Sequence, residues 1–229
     1  MILLLSFDVH RKGGIERLTM HVKQALESSG YSVKLLTPKS IGPSWWGRQL
    51  GRFWFLLQLV PSLLQSDKIL SMHVLLMKPL GWLQCCRRRN QSLHCWAHGI
   101  EVWGKNQTTH KNQLMRCRSL LASSSFTQKQ LANLNCDIKV IHPTADLFDP
   151  ATEPKSLPDS LKLLTVARMC RHEHYKGHEL IIHALHKLHQ NGELPQTLRW
   201  DVIGEGDQRP ELEKLVEKLG LQPWVCFHG

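Results

Sequence analysis

The sequence predicts an α/β protein of two Rossmann-like, doubly wound parallel-sheet domains, the second of them incomplete. Three observations carry this. The chain opens on a compact apolar run suited to a buried strand. Strand patterns then alternate with helical patterns along most of the chain, and strands that alternate with helices pair in parallel. A proline-bearing stretch, "PTADLFDPATEPKSLPDS", breaks the alternation, which restarts after it.

The elements follow in order. "MILLLSFD" has no basic region and an early Asp8, so it reads as a strand over 2–7 rather than a signal peptide. "HRKGG" is a glycine-bearing loop. Apolar residues at Ile15, Leu18, Val22, Ala25 and Leu26 have helical spacing, and Gly30 stops that helix. Further strands are expected over 31–37, 69–76, 93–97, 120–123 and 138–143. Between the last two, "SFTQKQLANL" reads as a helix with Ser124 or Ser125 as its N-cap. After the proline-bearing stretch come a strand at 161–167, a helix at 177–191, a strand at 198–204, a helix at 209–220 and a strand from 225. Pro210 suits a first helical turn and Gly220 a helix end.

Residues 44–65, "SWWGRQLGRFWFLLQLVPSLLQ", stand apart. Trp45, Trp46, Phe53, Trp54 and Phe55 lie beside Arg48 and Arg52. Aromatic and basic residues together suit an interfacial helix on anionic lipid. A helix packed on the sheet uses the same apolar face, and both readings stand. Pro61 interrupts the run, and nowhere does the chain reach the roughly 18 to 20 apolar residues of a membrane span.

Composition narrows the classes. The 29 lysines and arginines outweigh 19 acids, a net charge of +10, which points to an anionic partner. No nucleic-acid module is recognised, so nucleic acid is not the expected partner. The 7 cysteines are odd in number and include no C-x-x-C pair, which excludes a disulfide framework or zinc ribbon and fits a reducing cytoplasm. The dinucleotide fingerprint of a dehydrogenase is missing.

Several positions are candidates for chemistry. Arg168 ends a strand, and Lys176 precedes Gly177 at a helix start. Ligands of open α/β sheets bind beyond strand carboxyl ends, so two cations there suit a diphosphate and stabilise it further as it leaves. Two solvated surface cations are the alternative. Gly13 and Gly14, before the first helix, allow a phosphate to approach the backbone, or make a plain tight turn. Gly204 and Gly206 in "GEGD" carry the same two readings. His98 in "HGIEVWG" is placed to bond a sugar hydroxyl or reacting oxygen, or else is structural. His172, His174 and His178 are read as loop-surface residues because no further ligands complete a zinc set.

Taken together, "GGIERLTMHVKQALESSGYSVKLLT", "WAHGIEVW", "LLASSSFTQKQL", "IKVIHP", "LLTVARM…YKGHELIIHAL" and "DVIGEGDQRPELEKLVEKLGL…VCFHG" resemble the GT-B glycosyltransferases of family 4. The resemblance covers most of the chain and is weakest over 40–90. It implies an acceptor-side domain at 1–148, a linker at 149–160 and a partial nucleotide-sugar-binding domain at 161–229, the domains facing a cleft. It implies retaining transfer from a UDP-, GDP- or similar nucleotide sugar to a glycan or lipid-linked acceptor, without cofactor or required metal. Gly13 and Gly14 would lie under the donor phosphates and His98 by the donor sugar. Arg168 and Lys176 would neutralise the diphosphate, and Gly204 and Gly206 would line the nucleotide side. The family's pattern continues past Gly229 into a segment with two donor-binding glutamates, so a truncated chain is expected. That leaves an alternative: a non-catalytic, membrane-associated binding protein, or one completed by a partner chain. The expected location is the cytoplasm, peripheral on the inner membrane face.

Overall fold

The opening apolar run forms β1 (Ile2–Leu5), and all of its side chains are buried. This computed structural model describes residues 1–7, 13–38, 45–88, 90–144 and 161–229, without the side chains of Trp45 and Arg48. The expected linker at 149–160 lies outside the described residues, as do Asp8, Ser44 and most of the "HRKGG" loop. The chain divides into two units, Met1–Phe148 and Asp149–Gly229.

In the first unit β1 is followed by α1 (Gly14–Ser28), β2 (Val33–Leu36), α2 (Trp45–Gln65), β3 (Lys68–Ser71) and α3 (Met77–Trp82). Then come β4 (Ser92–Ala97), α4 (Lys105–Leu114), β5 (Ser119–Ala122), α5 (Ser125–Leu131) and β6 (Asp137–Val140). The sheet is parallel throughout, in the order β2-β1-β3-β4-β5-β6. Strand order reverses between β1 and β3, which is where carboxyl ends open a crevice in such sheets. Both faces are covered, as parallel sheets require. Leu3, Leu5, Ile69, Leu93 and Leu120 pack with α2, α3, α4 and α5 through Phe55, Leu59, Leu80, Leu114 and Leu131. On the other face Leu4, Leu70 and Trp96 pack against Leu18 and Val22 of α1.

Helix α2 packs on the sheet along one side and keeps apolar residues exposed along another. Phe55, Leu59 and Leu63 are buried in the core, while Trp46, Leu50, Phe53, Trp54, Leu57 and Leu64 stay exposed. Buried and exposed apolar residues each recur at about one-turn spacing, so the helix is apolar on two sides. No helix among the described residues is long and apolar enough to cross a membrane.

Two expectations need correction. The strand expected over 69–76 ends at Ser71. His73 there turns the chain instead, its Nδ1 accepting from Leu75 N and opening a 3-10 turn over Val74–Leu76. Helix α4 was not expected, because "KNQTTHKNQL" has no apolar period and buries only His110 and Leu114. The N-cap of α5 is Ser124, whose Oγ accepts from Thr127 N at 3.1 Å.

The second unit contains β7 (Lys162–Val166), α6 (His178–Gln190), β8 (Arg199–Ile203), α7 (Arg209–Lys218) and β9 (Val225–Phe227), with its parallel strands in that order. Trp200, Val202, Ile182, Leu185, Leu212 and Val216 form its core. The sheet's other face is bare: Leu164 is 64% and Val166 69% exposed.

One helix supplies its own control for this packing. Leu59→Ala should cost about 2–5 kcal/mol because the site is fully enclosed. Leu57→Ala, two residues away and exposed, should shift stability by no more than about 0.5 kcal/mol. Urea unfolding of both variants checks the assignment of the two sides.

Candidate functional site

The carboxyl edge of the first sheet gathers polar groups from several strands. His98 follows β4 directly. Its Nε2 lies 2.8 Å from the Met72 carbonyl and its Nδ1 2.9 Å from Ser123 Oγ. The carbonyl only accepts, so Nε2 carries the proton and Nδ1 accepts from the Ser123 hydroxyl. Ser123 Oγ in turn accepts from Trp96 Nε1 at 3.1 Å. The indole and imidazole are stacked, 6.0 Å between centroids. This chain ties the ends of β3, β4 and β5 together and sets one tautomer of His98.

Glu101 supports the same loop. Its two oxygens accept from the backbone N–H of His98 at 2.6 Å and of Gly99 at 3.0 Å. Burial pushes the His98 ring below the usual histidine range, against the Met72 carbonyl, Glu101 and Glu16, which favour its charged form. Glu16 also folds over Gly13, where an added Cβ would strike its carboxylate, whereas Gly14 faces open space. A carboxylate thus already stands at the helix N-terminus, where the dipole favours negative charge.

In the second unit the loop from β7 to α6 carries Arg168 and Lys176. Arg168 Nη2 donates to Glu173 Oε1 at 2.6 Å. The guanidinium side chain is 73% exposed and Glu173 only 17%. Glu173 Oε2 is buried without a hydrogen-bond partner. Lys176 lies 5.0 Å over the Tyr175 ring and has no acidic partner among the described residues. Both cations sit beyond the carboxyl end of β7, before the start of α6.

Gly204 and Gly206 have a clear steric reason. A Cβ on Gly204, at φ +146°, would strike the Ala167 carbonyl, and one on Gly206 would strike the Met169 carbonyl. The two loops are laced together instead: Ala167 N donates to Ile203 O, Met169 N to Glu205 O and Gln208 N to Met169 O, each at 3.0 Å. These glycines therefore hold the Arg168 loop against the β8–α7 loop.

The three histidines do not converge. His178 is buried, against the expectation of a surface loop, because it opens α6 and faces inward. Among the described residues the one group with metal-ligand geometry is Asp201, Cys226 and His228. Asp201 already accepts from Arg199 Nε at 2.9 Å and pairs with His228 Nε2 at 2.6 Å, so a cation is in place. Sequence reasoning missed Glu101, Ser123, Glu16 and Glu173. Glu16 and Glu173 lie within a few residues of Gly13 and Arg168, Glu101 follows His98 by three, and Ser123 precedes the N-cap Ser124, which is the only signal they gave.

Residues 151–229 match the family Glycosyl transferases group 1. The fold matches GT-B glycosyltransferases. The Anabaena protein HepE, solved with UDP and glucose, is similar at 19% identity and TM-score 0.67, covering 100% of this chain and 68% of its own. The lipopolysaccharide outer core galactosyltransferase WaaB in its apo form is similar at 15% identity and TM-score 0.66, covering 100% of this chain and 67% of its own. WaaG, a glycosyltransferase involved in lipopolysaccharide biosynthesis, is similar at 12% identity and TM-score 0.63, covering 100% of this chain and 70% of its own. No curated protein matches the chain by sequence.

Two outcomes test this geometry. Gly206→Ala should destabilise the second unit by about 1–3 kcal/mol or more, since backbone rather than a flexible side chain must move. Burial also lowers His73, His94, His110 and His178 from the usual 6.5, as it does His98. A depressed folded value means stability present above 6.5 and lost as pH falls through the lower folded values. The urea midpoint should therefore drop between about pH 7.5 and about pH 5. A flat profile would contradict the buried, neutral histidines.

Proposed function

We propose that the protein is a GT-B glycosyltransferase of family 4. It moves a sugar from a nucleotide-diphosphate sugar to a glycan or lipid-linked acceptor, with retention of configuration and without a required metal. The observation that carries this reading is the placement of Arg168 and Lys176 in one loop at the carboxyl end of β7, inside the stretch that matches Glycosyl transferases group 1. HepE, solved with UDP and with UDP-glucose, supports a uridine diphosphate sugar as the donor to try first.

In this proposal the bond from the anomeric carbon to the diphosphate breaks as the acceptor hydroxyl oxygen bonds to that carbon, charge grows on the departing oxygens, and the hydroxyl proton leaves with the nucleoside diphosphate. Lys176, with no acidic partner among the described residues, and Arg168, released from Glu173, neutralise it. Glu173 positions Arg168 and competes with the diphosphate for it. Gly204 and Gly206 hold the loop that presents both cations, on the nucleotide side. Gly13 and Gly14 approach the donor phosphates once Glu16 yields its place. His98 meets the sugar by exchanging one of its two present hydrogen bonds.

The exposed apolar side of α2, with Arg52 and a net charge of +10, supports a peripheral site on anionic lipid at the cytoplasmic face of the membrane. It fits a lipid-linked acceptor in surface-glycan synthesis. The same exposed side, with the bare sheet face at Leu164 and Val166, favours a second reading: a binding protein with this fold and no turnover, or one working with a partner chain.

Release of UDP from UDP-glucose decides between them. Arg168→Ala and Lys176→Ala should each lower it about 10²–10³-fold. Full rates in both variants would sink the assigned roles, and no turnover by the unaltered protein would favour the second reading. Phe53→Ser with Trp54→Ser should weaken binding to anionic vesicles about tenfold or more while leaving the urea midpoint in place.

A further inference from the structure

The opposite, amino-terminal edge of the first sheet holds charge that the proposed transfer does not use. Arg87, Arg116 and Arg118 line one cavity of about 480 Å³, with Asn90, Gln91 and Ser92. Among the described residues, no carboxylate lines it. Neither Arg116 nor Arg118 has an acidic side-chain partner among the described residues. Asp67, whose carbonyl accepts from Ser92 N, is committed to the terminal amino group at 2.7 Å and to Arg88 at 3.4 Å. Cys117, also at the cavity, is neutral, its thiol pushed up to about 12 chiefly by burial.

Arg87 is half-buried and held in place, whereas Arg116 and Arg118 are exposed. Arg87 donates through Nε to Gln91 Oε1 at 3.4 Å and through Nη2 to the Gln91 carbonyl at 3.2 Å. Gln91 is buried, and its Nε2 donates to the carbonyls of Leu63 and Ser66, both at 2.8 Å. The end of α2 therefore aims Arg87. Burial chiefly disfavours the charged form of Arg87; Cys117 opposes this, and the nearness of Arg116 adds a smaller unfavourable influence. Like charges gathered in a half-buried cavity repel one another, and an anion between them removes that cost. A second cavity, of about 300 Å³, shares Arg116 and adds Lys78, Asn112 and the exposed indole of Trp82. An amide, an ammonium and an indole face suit the polar body to which an anion is attached.

We propose that the arginine cavity binds a phosphomonoester, its oxygens held by the guanidinium forks of Arg87, Arg116 and Arg118, with the attached polar group beside Trp82. Guanidiniums match phosphate oxygens two at a time, which a single lysine cannot do. The ester is either a free sugar phosphate or a lipid headgroup. This site is separate from the proposed donor site and does not depend on it.

Calorimetric titration with glucose 1-phosphate and co-sedimentation with phosphatidic acid vesicles test it. Glucose alone and phosphatidylglycerol vesicles, which carry a phosphodiester, are the controls. Arg116→Gln and Arg118→Gln should each weaken phosphomonoester binding about tenfold, with urea midpoint and UDP-glucose turnover, if present, unchanged. Saturable binding of glucose 1-phosphate with that loss identifies a soluble ligand. Selective binding to phosphatidic acid with the same loss identifies a headgroup. Binding to neither probe, or binding that both variants leave within about twofold, overturns the proposal.

Discussion

Parallel strand pairing is the constraint on which the rest depends. Every ladder in both sheets is parallel, so every connection must cross a face of its sheet before returning. That crossing builds the layers of helices that bury the strands, and it collects all carboxyl ends on one edge of each sheet. His98, Ser123 and Met72 meet because β3, β4 and β5 end together. Arg168 and the glycines of "GEGD" meet because β7 and β8 do, and their loops are joined by three backbone hydrogen bonds. No side chain chose these neighbours; the topology supplied them.

Electrostatics at these edges follows one pattern. At three points where the backbone or a side chain offers positive charge, a carboxylate has been drawn to it, while Lys176 has none among the described residues. Glu101 takes two backbone N–H groups beside His98, Glu16 covers Gly13, and Glu173 holds Arg168. Such pairs keep donors oriented at little net energy, because exposed pairs are screened by water. An anionic ligand then enters by exchange with a carboxylate rather than by filling unclaimed space. The arginine cavity at the other edge lacks a carboxylate among its lining residues, which is why it stands out.

Much of the fold was legible in the sequence because buried parallel strands read as short, dense apolar runs, as in "ILLL" and "LRWDVI". Helices α1, α6 and α7 were legible from one-sided periodicity. Helix α4 was not, because it buries only His110 and Leu114 and shows no apolar period. The strand after Asp67 was read too long, because "ILSMHVLLM" stays apolar through the turn that His73 makes. Arg168, Lys176 and His98 could be named from their positions after strands. Their partners Glu173, Ser123 and Glu101 could not, because a carboxylate's or hydroxyl's role depends on which donor the fold brings near. For Gly204 and Gly206 the sequence allows either a close ligand or a tight turn, and the structure shows another stretch of backbone lying against them.

The central claim is that the loops after β7 and β8 form the diphosphate site. Amide hydrogen exchange with and without UDP tests it most directly. Protection should rise at 168–177 and 204–208, in the second unit, and should be lost with Arg168→Ala. Unchanged exchange in those two loops at saturating UDP, or protection confined to other segments, would contradict the account.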